Sequence, residues 1–313
     1  MRNILITGGA GYLGSVFVKN IMAQDWDKVT VVDTLKFGQT PLTEYCCKDN
    51  FNFILGDVTD QELMLPLIQE ADVIVPFAAI VGFPACDADR DGATKINYKH
   101  VKFICDNKNK DTKVIYPNSN SGYGVGEKDV FCTEETPLNP ISHYGVTKCL
   151  AEKEVIRVGG VVFRLATVFG VSPRMRIDLL VNDFTYKAYN DGYIVLFEHE
   201  FKRNYIHVQD VTNAFLHGIE NYESMGGELY NVGLSDANLN KKQLCEIIKE
   251  QVPNFSINFD DINTDPDKRD YIVSNEKLEA TGWAPKVSLA DGVKELLKAY
   301  PILGRQLRAY TNI

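Results

Sequence analysis

Short apolar runs alternate with longer amphipathic segments through the first half of the chain. The apolar runs cover residues 2–7, 28–33, 51–56, 72–76 and 112–116. Segments of helical length separate them, and the first of these places Leu13, Phe17 and Ile21 on one helical stripe. Because parallel strands need long crossovers and bury both faces, this alternation predicts an α/β fold with a doubly wound parallel sheet of Rossmann type.

The alternation becomes less regular beyond about residue 170. The pattern predicts helices over 140–158, 176–190, 208–222, 240–251 and 288–300, and strands over 160–165, 193–197, 227–231 and 256–259. We therefore expect a Rossmann domain over residues 1–170, to which residues 203–231 return. A smaller, mixed α/β domain over residues 171–313 is expected to pack against it, because no flexible linker separates the two.

Composition narrows the class of protein. The 313 residues are 45% hydrophobic and 24% charged, as in an ordinary globular protein, and the net charge of −9 argues against a nucleic-acid or anionic-membrane surface. The longest apolar run, residues 74–83, is too short to cross a bilayer, and no basic and apolar leader follows Met1. Seven cysteines without a CxxC pair favour a reducing cytosol over disulfides or a zinc site. These features predict a cytoplasmic protein without a metal.

Three glycines at fixed spacing indicate a dinucleotide site. Gly8, Gly11 and Gly14 lie between a predicted strand and a predicted helix, where missing side chains allow a pyrophosphate to approach the helix N-terminus. Asp33 ends the second predicted strand, where a carboxylate can accept hydrogen bonds from the adenosine ribose and repels a 2′-phosphate. The pattern predicts NAD as the cofactor. The alternative is that the glycines form only a turn and Asp33 is a solvated strand end.

Tyr144 and Lys148 are a candidate catalytic pair. They stand four residues apart in a predicted helix and therefore share a face. A phenol with a pKa of about 10 is a poor base, but a nearby ammonium can lower that pKa by two to three, worth about 3–4 kcal/mol. Ser119 follows a predicted strand and can donate to the same substrate oxygen. An isolated tyrosine and lysine at this spacing are usually surface residues without a catalytic role. Beside a nucleotide site, the same pair predicts hydride transfer from an alcohol.

Together these motifs resemble the extended short-chain dehydrogenases/reductases of the nucleotide-sugar epimerase and dehydratase group. The matching segments are TGGAGYLG at 7–14, SNSGYG at 119–124, YGVTK at 144–148, FRLATVFG at 163–170, RNYIHVQDV at 203–211 and GWAP at 282–285. With the residues carried over from that family, the predicted cofactor-binding set is Gly8, Gly11, Tyr12, Leu13, Gly14, Asp33, Asp57, Val58, Phe77, Ala78, Asn97, Tyr144 and Lys148.

The resemblance also implies a substrate site. Ser119, Tyr144 and Lys148 are its catalytic residues, and Arg203 and Arg269 match family contacts to a sugar-nucleotide diphosphate. Arg176 is added because of its charge and its position in the segment SPRMR. Family members commonly form homodimers through two helices from each subunit, and the counterparts here are the predicted helices at 88–108 and 140–158.

The family shares oxidation at C4 of the sugar and then diverges. Dehydratases of the family carry an Asp-Glu pair after the serine or threonine, where this chain has Asn120 and Ser121. The reductase/3,5-epimerase branch places a cysteine after its serine, and that cysteine is absent too. Net C4 oxidation to a ketosugar and C4 epimerisation therefore both remain open, and a non-catalytic NAD sensor is a third, different reading.

The amino-acid sequences of three segments favour net C4 oxidation over epimerisation. Residues 116–124, 172–176 and 265–270 are similar to bacterial capsule-pathway enzymes that oxidise C4 of GDP-D-glycero-α-D-manno-heptose. This similarity implies a GDP-sugar as the substrate. The chain departs from the wider family at Pro76, Gly122 and Thr167, where histidine, valine and asparagine are common.

Overall fold

The structure, a computed structural model, describes residues 2–260, 269–304 and 310–312. Its strands are β1 (Asn3–Thr7), β2 (Lys28–Asp33), β3 (Phe51–Leu55), β4 (Val73–Pro76), β5 (Lys113–Ser119), β6 (Phe131–Cys132), β7 (Val161–Leu165), β8 (Thr167–Phe169), β9 (Tyr193–Phe197), β10 (Lys202–His207), β11 (Leu229–Val232), β12 (Asn238–Asn240), β13 (Ser256–Asp260) and β14 (Ile272–Val273).

The helices surround these strands. They are α1 (Tyr12–Met22), α2 (Gln61–Glu70), α3 (Phe83–Ala88), α4 (Arg90–Thr94), α5 (His100–Asn107), α6 (His143–Arg157), α7 (Leu180–Asn190), α8 (Val208–Glu220), α9 (Tyr222–Met225), α10 (Lys241–Gln251), α11 (Glu276–Glu279) and α12 (Leu289–Leu303).

Seven strands form one parallel sheet in the order β3-β2-β1-β4-β5-β7-β11. The chain winds outward from β1 in one direction through β2 and β3, and in the other from β4 onward. Crevices for ligands lie at the carboxyl ends of such strands, where the winding direction reverses. This arrangement confirms the predicted doubly wound Rossmann-type fold.

Apolar side chains cover both faces of the sheet. On one face Phe17 of α1 and Phe215 of α8 meet Phe77 and Phe163, with ring centroids 5.1–6.0 Å apart. A second buried cluster under α2, α5 and α6 covers the other face and includes Tyr116. Burial on both faces explains why the sequence of these strands is continuously apolar rather than alternating.

The later part of the chain forms small sheets. β8, β10 and β12 make a three-stranded sheet, while β9 pairs with β13 and β6 pairs with β14. The strand pattern did not predict β6, β8, β12 or β14, because strands of two or three residues are too short to show a period. It also did not predict β10, whose segment KRNYIH mixes charged, polar and apolar residues. The helix predicted from residue 176 begins at Leu180, since the Asn182 side chain donates to the Arg176 carbonyl and holds the preceding turn open.

The helix predicted over 88–108 is interrupted. α4 and α5 are joined through a π-helical segment, Lys95–Lys99, whose central residue is Asn97.

Across residues 2–260, 269–304 and 310–312, every helix is too short or too polar to span a bilayer.

Candidate active site

The glycine-rich turn between β1 and α1 is tightly packed. Gly8 has φ +70°, and a Cβ there would lie 2.5 Å from the backbone nitrogen of Ala78. A Cβ on Gly14 would lie 2.2 Å from the Gly8 carbonyl oxygen. Gly11 is the N-cap of α1 and adds no side chain over the first turn. The turn therefore leaves the helix N-terminus accessible to an anion, which fits the pyrophosphate of NAD.

Tyr12 and Leu13 contribute backbone N–H groups, and not side chains, to the glycine-rich turn. The Tyr12 side chain is buried, and its hydroxyl donates to the Gly170 carbonyl at 2.7 Å. Leu13 packs against the main core. Their side chains thus anchor the helix, while their N–H groups lie in its first turn.

Asp33 connects the two sides of the cofactor crevice. Its carboxylate oxygens accept hydrogen bonds from the backbone N–H groups of Ala10 and Leu35, each at 2.9 Å. Ala10 lies in the glycine-rich turn and Leu35 lies beyond β2. Carboxylate oxygens can accept more than one hydrogen bond, so this position suits the ribose hydroxyls as well.

The remaining predicted cofactor residues line the ends of neighbouring strands. The Asp57 carboxylate accepts from the Thr59 N–H and hydroxyl, both at 2.8 Å, and Val58 is buried in the core. The Phe77 N–H donates to the Thr7 carbonyl at 2.8 Å, which sets the segment with Ala78 beside the glycine-rich turn.

Asn97 is hydrogen-bonded to the backbone of the segment that follows β4. Its side chain accepts from the Ile80 N–H and donates to the Ile80 carbonyl, both at 2.9 Å. It also donates to the Thr147 hydroxyl at 3.4 Å. Asn97 therefore ties this segment to α6, which carries the candidate catalytic residues.

Tyr144 and Lys148 occupy the first two turns of α6. The helix begins after Ser142, whose hydroxyl accepts from the Gly145 N–H at 3.1 Å. Ser119, the last residue of β5, lies close enough to the Tyr144 phenol to act toward a lower pKa of that phenol, and its hydroxyl lies 2.9 Å from the Ser121 hydroxyl. The Lys148 ammonium donates to the Pro117 carbonyl and lies 4.1 Å from the centre of the Tyr116 ring. The structure thus brings Ser119 and Tyr144 together and places Lys148 behind them on the same helix.

The pKa values of this pair differ from the prediction. Burial raises the pKa of Tyr144 to about 12, and the nearby thiol of Cys86 acts in the same direction. Burial lowers the pKa of Lys148 to about 7. The prediction that Lys148 by itself makes the phenol acidic is therefore wrong for the protein alone, because both groups lose the water that stabilises their charged forms.

Two of the three predicted arginines lie within electrostatic reach of the phenol. Positive charge on Arg269 and Arg176 opposes the rise in the pKa of Tyr144. Arg269 donates to the Ser121 hydroxyl. Residues 261–268, directly before it, lie outside the described part of the chain, so only the last two residues of the segment 265–270 are described. Arg176 pairs with Asp178 at 2.6 Å.

Arg203 is buried in a different setting. Its guanidinium lies 5.5 Å from the centre of the Tyr271 ring and donates to the Lys202 carbonyl at 2.9 Å. Sequence reasoning missed Cys86, which lies near both Tyr144 and Lys148 and donates to the Ile80 carbonyl at 3.1 Å. A single cysteine in a short helix offers no pattern that could have indicated this position.

Comparison with known proteins finds similarity over most of the chain. The family described as "NAD dependent epimerase/dehydratase family" matches residues 4–233. The low-salt glycan biosynthesis protein Agl12 of Haloferax volcanii is 28% identical, with 95% of this chain and 98% of that protein covered. A dTDP-D-glucose 4,6-dehydratase of Bos taurus is 26% identical, with 96% and 88% covered.

A solved structure agrees over the same length. The UDP-glucose 4-epimerase of Thermotoga maritima, crystallised with UDP-glucose, superimposes with a TM-score of 0.81 at 25% identity. The match covers 96% of this chain and 99% of that one. Dehydratases and epimerases are thus both among the similar proteins.

Proposed function

Because the chain belongs to the NAD dependent epimerase/dehydratase family, we propose that this enzyme oxidises C4 of a nucleotide-activated sugar, with Tyr144 as the base. The observation that carries the proposal is the position of Ser119 beside the buried Tyr144 phenol, with Lys148 one turn further along α6. This arrangement lies at the carboxyl end of β5, two strands along the sheet from β1 and its glycine-rich turn.

Side chains of the protein bind and remove the proton of the C4 hydroxyl. Tyr144 Oη takes the proton of the C4 hydroxyl, and Ser119 Oγ orients that hydroxyl by a second hydrogen bond. The guanidinium groups of Arg269 and Arg176 favour the ionised phenol, and Lys148 is fixed behind it by the Pro117 carbonyl. The crevice would hold NAD at the glycine-rich turn and Asp33, where the oxidised cofactor would supply a hydride acceptor and further positive charge.

Water loss is not part of the proposal. Asn120 and Ser121 stand where the dehydratases of the family carry an acid and a base. An amide cannot exchange a proton in this way, and the Ser121 hydroxyl already accepts from Arg269. The ketosugar is therefore either released or reduced again.

We propose release, with GDP-D-glycero-α-D-manno-heptose as the substrate, for the synthesis of capsular or other surface polysaccharide precursors. The similarity of residues 116–124 and 172–176 to GDP-heptose oxidising enzymes supports this choice. The relative named as a glycan biosynthesis protein is consistent with it. We also propose residues 1–170 as the cofactor domain, to which residues 203–231 return, and 171–313 as the substrate domain.

A homodimer is part of the proposal. Val146 and Leu150 lie one turn apart on α6 and remain 40% and 38% exposed. Apolar side chains at this spacing form a strip that a second copy of the helix could cover. Analytical ultracentrifugation of the purified protein measures this directly.

The second candidate is C4 epimerisation. It is favoured by the Thermotoga maritima 4-epimerase, which is similar over the full length of this chain. Epimerisation shares the oxidation step and returns the hydride to the opposite face of C4.

The two outcomes separate in one experiment. The purified protein is incubated with GDP-heptose and, in parallel, with UDP-glucose, while NMR follows the C4 proton and absorbance at 340 nm follows NADH. We expect the C4 proton of GDP-heptose to disappear as one NADH forms for each ketone. A C4 epimer without ketone would instead establish epimerisation, and two unaltered sugars would contradict the proposed substrate.

A further inference from the structure

The loop after β8 is fastened to the start of α1. The Ser172 hydroxyl donates to the Tyr12 carbonyl at 2.7 Å and lies 3.0 Å from the Ser15 hydroxyl. The Arg174 N–H donates to the Ser15 hydroxyl at 3.3 Å. Together with the bond from Tyr12 to Gly170, these contacts hold Arg174 beside the first turn of α1.

The Arg174 side chain is buried without the partners that a buried cation requires. It is 2% exposed, its guanidinium lies 4.4 Å from the centre of the Phe37 ring, and Nη2 has no hydrogen-bond partner within the described part of the chain. Burial lowers its pKa to about 10, and the charge of Arg176 adds to this effect. Asp178 and Asp33 are close enough to interact electrostatically with Arg174, but Asp178 pairs with Arg176 at 2.6 Å and the two oxygens of Asp33 accept from backbone N–H groups.

An unpaired buried guanidinium is costly, so this position calls for an anion. Arginine presents a fork of donors that suits phosphate oxygens, and the N-terminus of α1 attracts the same charge from the other side. The carboxylate of Asp33 lies where a ribose 2′-phosphate would be repelled. The anion that fits both the arginine and the helix is therefore a diphosphate.

We propose that Arg174 binds the diphosphate of NAD opposite the N-terminus of α1 and retains the cofactor in its crevice. The inference rests on the part of the proposed function that assigns NAD, and not on the sugar or on the fate of the ketone. Because the loop that carries Arg174 is anchored to α1, the cofactor leaves only after the guanidinium has released it. NAD is thus held between two fixed elements.

Replacement of the guanidinium by an uncharged chain of similar length tests the proposal. Arg174→Met is compared with Lys36→Met, which removes an exposed cation 5.9 Å from the same Phe37 ring. NAD is first stripped from each protein, and its affinity is measured by titration calorimetry and its dissociation by a chase, both without sugar. We expect Arg174→Met to weaken NAD binding on the order of 10- to 100-fold and to speed dissociation, with no change for Lys36→Met.

Thermal unfolding without ligand distinguishes binding from support of the fold. Since the unpaired guanidinium destabilises the empty site, Arg174→Met should unfold at the same or a higher temperature, while NAD should raise its Tm less than that of the original protein. Arg174→Lys keeps the charge without the fork and should bind with intermediate affinity.

Unchanged NAD affinity in Arg174→Met would overturn the proposal, whether or not the Tm falls. If Arg174→Met lost affinity for NADP and not for NAD, the proposal would be overturned too, because the guanidinium would then bind a 2′-phosphate. Normal NAD binding dependent on Arg174, combined with no sugar oxidation, would support this inference and count against the proposed substrate.

Discussion

Two buried charged side chains stand one turn apart on α6 and have very different surroundings. Glu152 is 5% exposed and pairs with Arg164 at 2.7 Å, and it also accepts from the Asn118 amide. Lys148 is 4% exposed and is held only by a backbone carbonyl and an aromatic ring in the described part of the chain. One charge is paired, whereas the other lacks a counter-ion of comparable proximity.

The pKa values reflect this difference. Burial acts to lower the pKa of Arg164, but hydrogen bonds and charge interactions with Glu152 and Tyr123 together outweigh burial and keep the pKa above its ordinary value. Burial lowers the pKa of Lys148 to about 7, with only weaker opposition from Cys86, Cys149 and Glu152. A paired charge keeps its protonation state and supports the fold, whereas an unpaired one can respond to a ligand.

The largest expected effect is on the catalytic side of this comparison. Tyr144→Phe removes the base and leaves the ring, and no neighbouring group is positioned to take its place. We expect normal folding and a fall in turnover of about 10²- to 10⁴-fold, measured as NADH formation with the nucleotide sugar. Tyr189→Phe, at an exposed tyrosine, is the control. Turnover within a factor of two of the original protein would exclude Tyr144 as the base.

The next largest effect concerns the paired charges. Arg164→Met leaves Glu152 buried without its cation, and we expect a loss of about 3–5 kcal/mol in the free energy of unfolding, measured with urea. In the double variant Arg164→Met/Glu152→Met both charges are gone, so much of that loss should be recovered. A double variant no more stable than the single one would show that the pair does more than balance charge.

The unpaired lysine should show a pH-dependent effect on stability. Below pH 7 both the folded and the unfolded chain carry the Lys148 charge, and the folded state bears the full cost of burying it. Between pH 7 and about 10.4 the folded state has lost this proton while the unfolded state keeps it, so the cost declines as pH rises.

Lys148→Met removes this dependence. Relative to the original protein, the variant should have its highest Tm near pH 6 and should lose that advantage steadily toward pH 10, as followed by circular dichroism. Lys153→Met, at an exposed position of the same helix, should not alter the profile. A constant difference in Tm from pH 6 to 10 would refute the buried-charge explanation.

The smallest effect is expected at Ser119. Ser119→Ala removes the hydroxyl beside the Tyr144 phenol and with it one hydrogen bond to the reacting hydroxyl, which is worth about 1 ± 0.5 kcal/mol. Turnover should fall about tenfold or less, with the pH optimum moved upward because Ser119 acts toward a lower pKa of Tyr144. An unmoved pH profile would argue that Ser119 does not contact the phenol.

The strands of the first half could be predicted closely from the chain. The bounds of β2 and the centre of β1 follow directly from apolar runs, because strands buried on both faces consist almost entirely of apolar residues. The glycine-rich turn was equally clear, since Gly8 and Gly14 occupy positions where a Cβ would clash. The strands β8 and β12 were not visible because three residues show no period, and β10 was not visible because charged and polar residues interrupt its apolar ones.

Candidate site residues were harder to interpret than to find. Arg174 and Arg176 stand two residues apart in one charged segment, yet Arg176 pairs with Asp178 and Arg174 has an unpartnered guanidinium nitrogen within the described residues. Composition and spacing treat the two alike. The difference depends on Phe37, Asp33 and Ser15, which are more than 130 positions away in the chain.

Patterns along the chain were enough to establish the parallel sheet, the cofactor turn and the pair on α6, since periodicity and missing side chains act over a few residues. The protonation of that pair, the interruption of the helix around Asn97 and the isolation of Arg174 depend on burial and on partners from distant segments. Water is removed from a charge only when separate parts of the chain close over it, so the strength of each charge is a property of the folded molecule.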